Sequence, residues 1–131
     1  METTNYGFTK IVALPFAEAV TRVKAALAKE GFGQLTEIDV QAKLKEKLGM
    51  DMEPYLILGM CNPKLAHQAL QIETEIGLLL PCNVIVYEKE GNVHVAAQKP
   101  SLMSQVVGKE ALKAVADEAE KGLLAVLETI V

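Results

Sequence analysis

The stretch Leu58-Gly59-Met60-Cys61-Asn62-Pro63-Lys64-Leu65-Ala66-His67-Gln68-Ala69-Leu70, continued by Gly77-Leu78-Leu79-Leu80-Pro81-Cys82-Asn83-Val84, decides how this chain is read. Pro54 to Met60 leads into it as a short apolar run with a β-branched and an aromatic residue, the pattern of a buried strand. Cys61-Asn62-Pro63 stops that strand. The Asn62 side chain can accept a hydrogen bond from amides just beyond it, and Pro63 has the backbone angle of a first helical residue. Asn62 therefore reads as an N-cap and Pro63 as N1. Leu65, Ala66, Ala69, Leu70 and Ile72 give the helix an apolar face. Ile76 to Cys82 is too short for a bilayer span and reads as a buried return passage; Asn83 to Glu88 then alternates into a strand. If the return passage runs back along the helix, Cys61 and Cys82 share one end of the sheet. If not, they lie at opposite ends, and spacing leaves both arrangements open.

The run Cys61-Asn62-Pro63-x-x-Ala66-x-x-x-Leu70, followed by Gly77-x-Leu79-Leu80-Pro81-Cys82-x-Val84, resembles the signature of the bacterial and archaeal domain-of-unknown-function family 302. Lys47-Leu48-Gly49 and Tyr55-Leu56-Ile57-Leu58-Gly59 are similar to it as well, so the resemblance covers nearly the whole chain. It implies an α+β domain, often crystallised as a dimer. It implies no established activity and supplies no catalytic residues.

Composition narrows the function classes. The length of 131 residues fits a single domain, 1–131, able to bury a core without disulfide or metal. Half of the residues are apolar and 23% are charged, as in ordinary globular proteins. The net charge of −4 comes without a basic cluster, which argues against nucleic-acid binding, where phosphates must be neutralised. The most basic run, Ala42 to Leu48, alternates its lysines with leucines and Glu46, as a solvated helix face does. No run approaches a membrane span, and Met1 to Tyr6 lacks the basic-then-apolar order of a signal peptide. Two cysteines without such a signal point to reduced thiols in the cytoplasm.

Taken in order, Tyr6 to Ala13 reads as a strand. Pro15 opens an amphipathic helix with Phe16, Ala19, Val20, Val23 and Leu27 on one face, closed by Gly31. Phe32 to Ile38 is a second strand, with Leu35 and Ile38 only partly in register. Asp39 caps a short helix that ends at Gly49. Beyond the central stretch, Val84–Glu88 and Val93–Gln98 flank Lys89-Glu90-Gly91-Asn92, a hairpin signal. The simplest register pairs Tyr87 with His94 and Ile85 with Ala96 on one face, with Val86 and Val95 on the other. Ser101 caps a short helical turn over 102–107. A long helix then carries Leu112, Val115, Ala116, Ala119, Leu123, Val126, Leu127 and Ile130 on a continuous apolar face. Gly122 within it asks for close packing against another backbone.

The order is β-α-β-α-β-α-β-β-α. It predicts an α+β fold: a two-layer sandwich in which two long helices cover a largely antiparallel five-stranded sheet. The other sheet face, with Ile85, Tyr87, His94 and Ala96, is too apolar for water and favours a homodimer.

Few residue patterns carry chemistry. Cys61 and Cys82 form no Cys-x-x-Cys motif; they read as buried packing thiols or, alternatively, as a redox or soft-metal pair. The order Cys61, His67, Cys82, His94 matches no zinc-finger spacing, so no metal site is assigned. His67 falls beside Lys64 and Gln71 on an exposed side, and His94 opposite Tyr87 makes a polar pair. There is no Gly-x-Ser-x-Gly and no phosphate-binding glycine loop. The best anion site is the helix start at Asn62, Pro63 and Lys64. The sequence thus predicts a non-enzymatic small-ligand-binding or interaction module. Its candidate residues are Cys61, Asn62, Pro63, Lys64 and Cys82, and its ligand is a small anionic or thiol-reactive molecule. No catalytic residue or cofactor is assigned. The alternatives are a thiol redox or metal-binding protein, and a homodimer in which the motif residues are purely structural.

Overall fold

Six strands form one antiparallel sheet in a computed structural model that describes residues 1–131. They are β1 (Glu2–Thr3), β2 (Gly7–Val12), β3 (Gly33–Asp39), β4 (Tyr55–Cys61), β5 (Cys82–Lys89) and β6 (Asn92–Gln98), in the spatial order β1-β2-β6-β5-β4-β3. The helices are α1 (Phe16–Lys29), α2 (Val40–Leu48), α3 (Pro63–Ile72), α4 (Ser101–Val107) and α5 (Glu110–Thr129), with a 3-10 helix at Thr74–Leu79. The α+β class stands. The expected five strands are six, because β1 is only two residues long and has no alternation to announce it. The expected order also lacked the 3-10 helix and counted α4 as a turn.

Local chemistry explains most element ends. Gly31 has φ +84°, the Phe32 amide donates to the Leu27 carbonyl and the Gly31 amide donates to the Ala28 carbonyl. These two bonds satisfy the last carbonyls of α1 and turn Phe32 back onto Leu27. The Ala42 amide donates to Asp39 Oδ1 at 2.9 Å, capping α2. Glu90 and Gly91 both have positive φ, as a two-residue hairpin turn requires, and they set the register Tyr87–His94, Ile85–Ala96 and Val86–Val95. Ser101 does not cap α4: it is the first helical residue, and its amide donates to Glu120 Oε1 of α5 at 3.1 Å. The cap is therefore a carboxylate brought in by packing, which no local spacing could reveal.

Helices α1 and α5 cover one sheet face. Ala19, Val23 and Leu27 of α1 and Leu123, Val126 and Leu127 of α5 share a core with Phe8, Leu58, Met60, Val84, Val86 and Val95. Lys10 Nζ donates to the Leu127 carbonyl at 2.9 Å, placing a cation at the α5 C-terminus where the helix dipole favours it. Gly122 does pack closely, against the Phe32 ring rather than a backbone: a methyl there would lie 3.0 Å from Cε2. The N-terminal part of α5 packs elsewhere. Leu112 joins Ala69 and Ile76 in a second, smaller cluster. The molecule thus has two cores, and the central stretch runs between them.

Candidate functional site

Asn62 caps α3 as its chemistry dictates: the Leu65 amide donates to Oδ1 at 3.3 Å, and Pro63 is the first helical residue. The 3-10 helix then returns the chain along α3, with Ile76 buried and Leu78 82% exposed. The passage is therefore buried only in part. It ends at the cis peptide Leu80–Pro81. Cys82 pairs with Met60 across β4 and β5, one residue from Cys61. The two thiols consequently share one end of the sheet.

Between the two cores lies a pocket of about 370 Å³. Met60, Cys61, Phe32 and Cys82 line it from the sheet side, and Ile76 and Leu112 from the small core. Ala66 and Ala69 of α3 face Ala116 and Ala119 of α5 across it. These four short side chains are the physical origin of the space, since interiors are otherwise close-packed. Asn62 and Ser104 are the only lining residues that are neither hydrocarbon nor sulfur-bearing.

Of the five candidate residues, the fold brings Cys61, Asn62 and Cys82 to this pocket. Pro63 is exposed at the helix start, and Lys64 opens into a separate cleft of about 310 Å³. That cleft also holds Glu30, Glu118 and Lys121, so the α3 N-terminus is flanked by carboxylates as well as cations. Small lining residues such as Ala66, Ala69, Ala116 and Ala119 escape sequence reasoning, because alanine on a helix face is the commonest of signals. Only the coincidence of two alanine pairs on different helices marks them, and their facing is a tertiary fact.

The electrostatics keep the thiols protonated. Burial pushes the Cys61 thiol up from its ordinary value, and pushes Cys82 up to about 11, with a smaller contribution from Cys61 itself. A reactive thiolate needs a cation or helix dipole to outweigh burial, and at Cys61, although it precedes the α3 N-cap, burial prevails. His67 is exposed on α3 and hydrogen-bonded to Gln71 at 3.3 Å, while His94 lies on the uncovered sheet face. The four Cys and His residues therefore do not converge, and no group of three or more metal-ligating side chains is formed. His94 meets Tyr87 as a stacked ring, with centroids 4.7 Å apart and planes 4° from parallel, rather than through a polar contact.

The uncovered sheet face is the second notable surface. Tyr55 stacks on Tyr87 at 5.3 Å, extending the His94–Tyr87 stack across three strands. Burial, then the neighbouring phenols Tyr87 and Tyr6, raise the Tyr55 pKa. Ile11 and Ile38, opposite His94 and Ile57, are 58% and 44% exposed on the same face. No helix is long and apolar enough to cross a membrane.

Comparison with known proteins identifies both a family and a similar solved structure. A family model described as "Domain of unknown function DUF302" matches residues 8–130. A solved structure described as that of an uncharacterized conserved protein DUF302 from Bacillus stearothermophilus is similar over 95% of this chain and 98% of its own, at 34% identity and a TM-score of 0.88. No curated protein matches.

Proposed function

The chain belongs to the DUF302 family, and from that premise we propose that it is a non-enzymatic binding module whose ligand occupies the pocket between the two cores. The observation that carries this reading is the pocket itself. It joins both halves of the Cys-Asn-Pro and Leu-Pro-Cys stretch, and its volume and mostly apolar lining are those of small-molecule sites. The raised thiol pKa values favour binding over thiol chemistry, because protonated sulfurs serve as soft apolar contacts. The free thiols suit a reducing compartment such as the cytoplasm.

A neutral naphthylamine dye tests the reading. Its emission should rise saturably with one dye per chain, and the rise should be lost in Ala116→Leu, which fills the pocket from α5. Ala66→Leu, at a less buried position, serves if the first variant folds poorly. Unsaturable binding, or binding unchanged by filling, would refute the proposal.

The uncovered sheet face supports a second reading, a homodimer. Exposed isoleucines beside a stacked aromatic row form a continuous apolar surface, and such surfaces mark interfaces. The two readings are compatible, since the pocket involves the helical side of the sheet and the dimer would use the opposite face.

A further inference from the structure

We infer that the pocket takes an uncharged aliphatic molecule of about a dozen non-hydrogen atoms, admitted between Leu35 and Leu70. This rests on the binding reading above and supplies its chemical class. The size follows from the volume of about 370 Å³, divided by roughly 30 Å³, the share of a small atom group such as water in a liquid.

The class follows from what the lining can do. No charged side chain reaches the pocket, so an anion would be stripped of water without an ionic partner. The cation expected to hold an anion, Lys64, faces the other cleft in the company of Glu30 and Glu118. The two polar lining side chains are already engaged. Asn62 Oδ1 accepts from the Leu65 amide, and the Ser104 hydroxyl donates to the Ser101 carbonyl at 2.9 Å. What remains is the Asn62 NH2 group, a second lone pair on its Oδ1 and the Ser104 lone pairs, neutral groups that suit a ligand hydroxyl and offer no partner for a charge.

The entrance follows from an irregularity in β3. Register between β3 and β4 shifts between Gln34 and Thr36, which leaves Leu35 as an extra, unpaired residue. Such a bulge re-aims a side chain. Leu35 lines the pocket although it is 63% exposed, and Leu70 of α3 lines it while 41% exposed. A large aliphatic residue on an edge strand otherwise surrounded by water has a use at an apolar mouth. Leu35 is thus a specificity residue, covering the bound chain.

Calorimetric titration of hexanol, octanol, decanol and octanoate tests the inference, using the whole protein and the Leu35→Ser and Ala116→Leu variants near pH 8. The alcohols should gain about fourfold in affinity per methylene from hexanol through decanol. Octanoate should bind at least tenfold more weakly than octanol. Leu35→Ser should weaken octanol about fivefold, and Ala116→Leu should abolish binding of all four. Octanoate binding as tightly as octanol, with both lost in Ala116→Leu, would overturn the class while leaving the site. Absence of saturable binding by any of them, or binding indifferent to Ala116→Leu, would overturn the site as well. Octanol affinity unchanged in Leu35→Ser would overturn the entrance.

Discussion

Cys82 shows how burial, chiefly, sets chemistry. Its surroundings push the thiol up to about 11 from an ordinary 9.0, so the folded state holds the proton more tightly than the unfolded chain. The stability it contributes is complete below about pH 9 and is lost as pH rises through about 11, roughly 2–3 kcal/mol in all. Urea unfolding across that window should show a steeper loss for the natural chain than for Cys82→Ala; parallel curves would contradict the assignment. Gly59 shows the opposite kind of constraint. A methyl there would collide with the Thr36 hydroxyl and sit 2.9 Å from Pro81 Cγ. Gly59→Ala should therefore cost about 1–3 kcal/mol by overpacking, and a denaturation midpoint unchanged from the natural chain would refute this. The sequence could not reveal this constraint, because Thr36 and Pro81 come from two other parts of the chain.

At the scale of elements, the N-caps of α2 and α3 and the end of α1 were the most legible features, since each is decided within a few residues, unlike the α4 start, which Glu120 caps from α5. Asn62, Asp39 and Gly31 do what their side chains or φ preferences dictate. Asn62→Ala should cost about 1 kcal/mol of stability, and it should also raise amide exchange through the first turn of α3. Exchange unaltered there would show that the cap contributes little. The other end of α3 depends on tertiary partners. Lys109 bridges Glu73 at 2.8 Å and donates to the Ile72 carbonyl at 3.3 Å. That lysine, more than the Glu75 amide, holds the Glu73 carboxyl below its ordinary 4.5. A lowered folded value means that the stabilisation is present above about pH 4.5 and is lost as pH falls through the folded value. Lys109→Met should therefore flatten the acid limb of exchange protection around Ile72 to Glu75, whereas an unchanged limb would exclude the clasp. The partial register of Leu35 and Ile38 has its cause in the bulge: Leu35 is the extra, unpaired residue of β3, while Ile38 pairs with Ile57 on the uncovered face.

For the whole molecule, the hairpin register and the division of the sheet into covered and uncovered faces were readable from alternation alone. The split into two cores was not. Alternation and helical periodicity say which side of an element is apolar, never which of two apolar masses it joins, and α5 joins both. The uncovered face predicts self-association: sedimentation should give a dimer for the natural chain, and Ile85→Glu should shift it to monomer. A monomer at every concentration would remove the second reading and leave the pocket untouched.

The pocket itself is the central claim, and xenon reports it without presupposing a ligand, because the gas settles in apolar cavities. A crystal pressurised with xenon should show a peak bounded by Cys61, Ala69, Ile76, Leu112 and Ala116. No peak there, with Ala69 and Ala116 drawn into contact across the gap, would mean that the two cores close on each other and that no binding site lies between them.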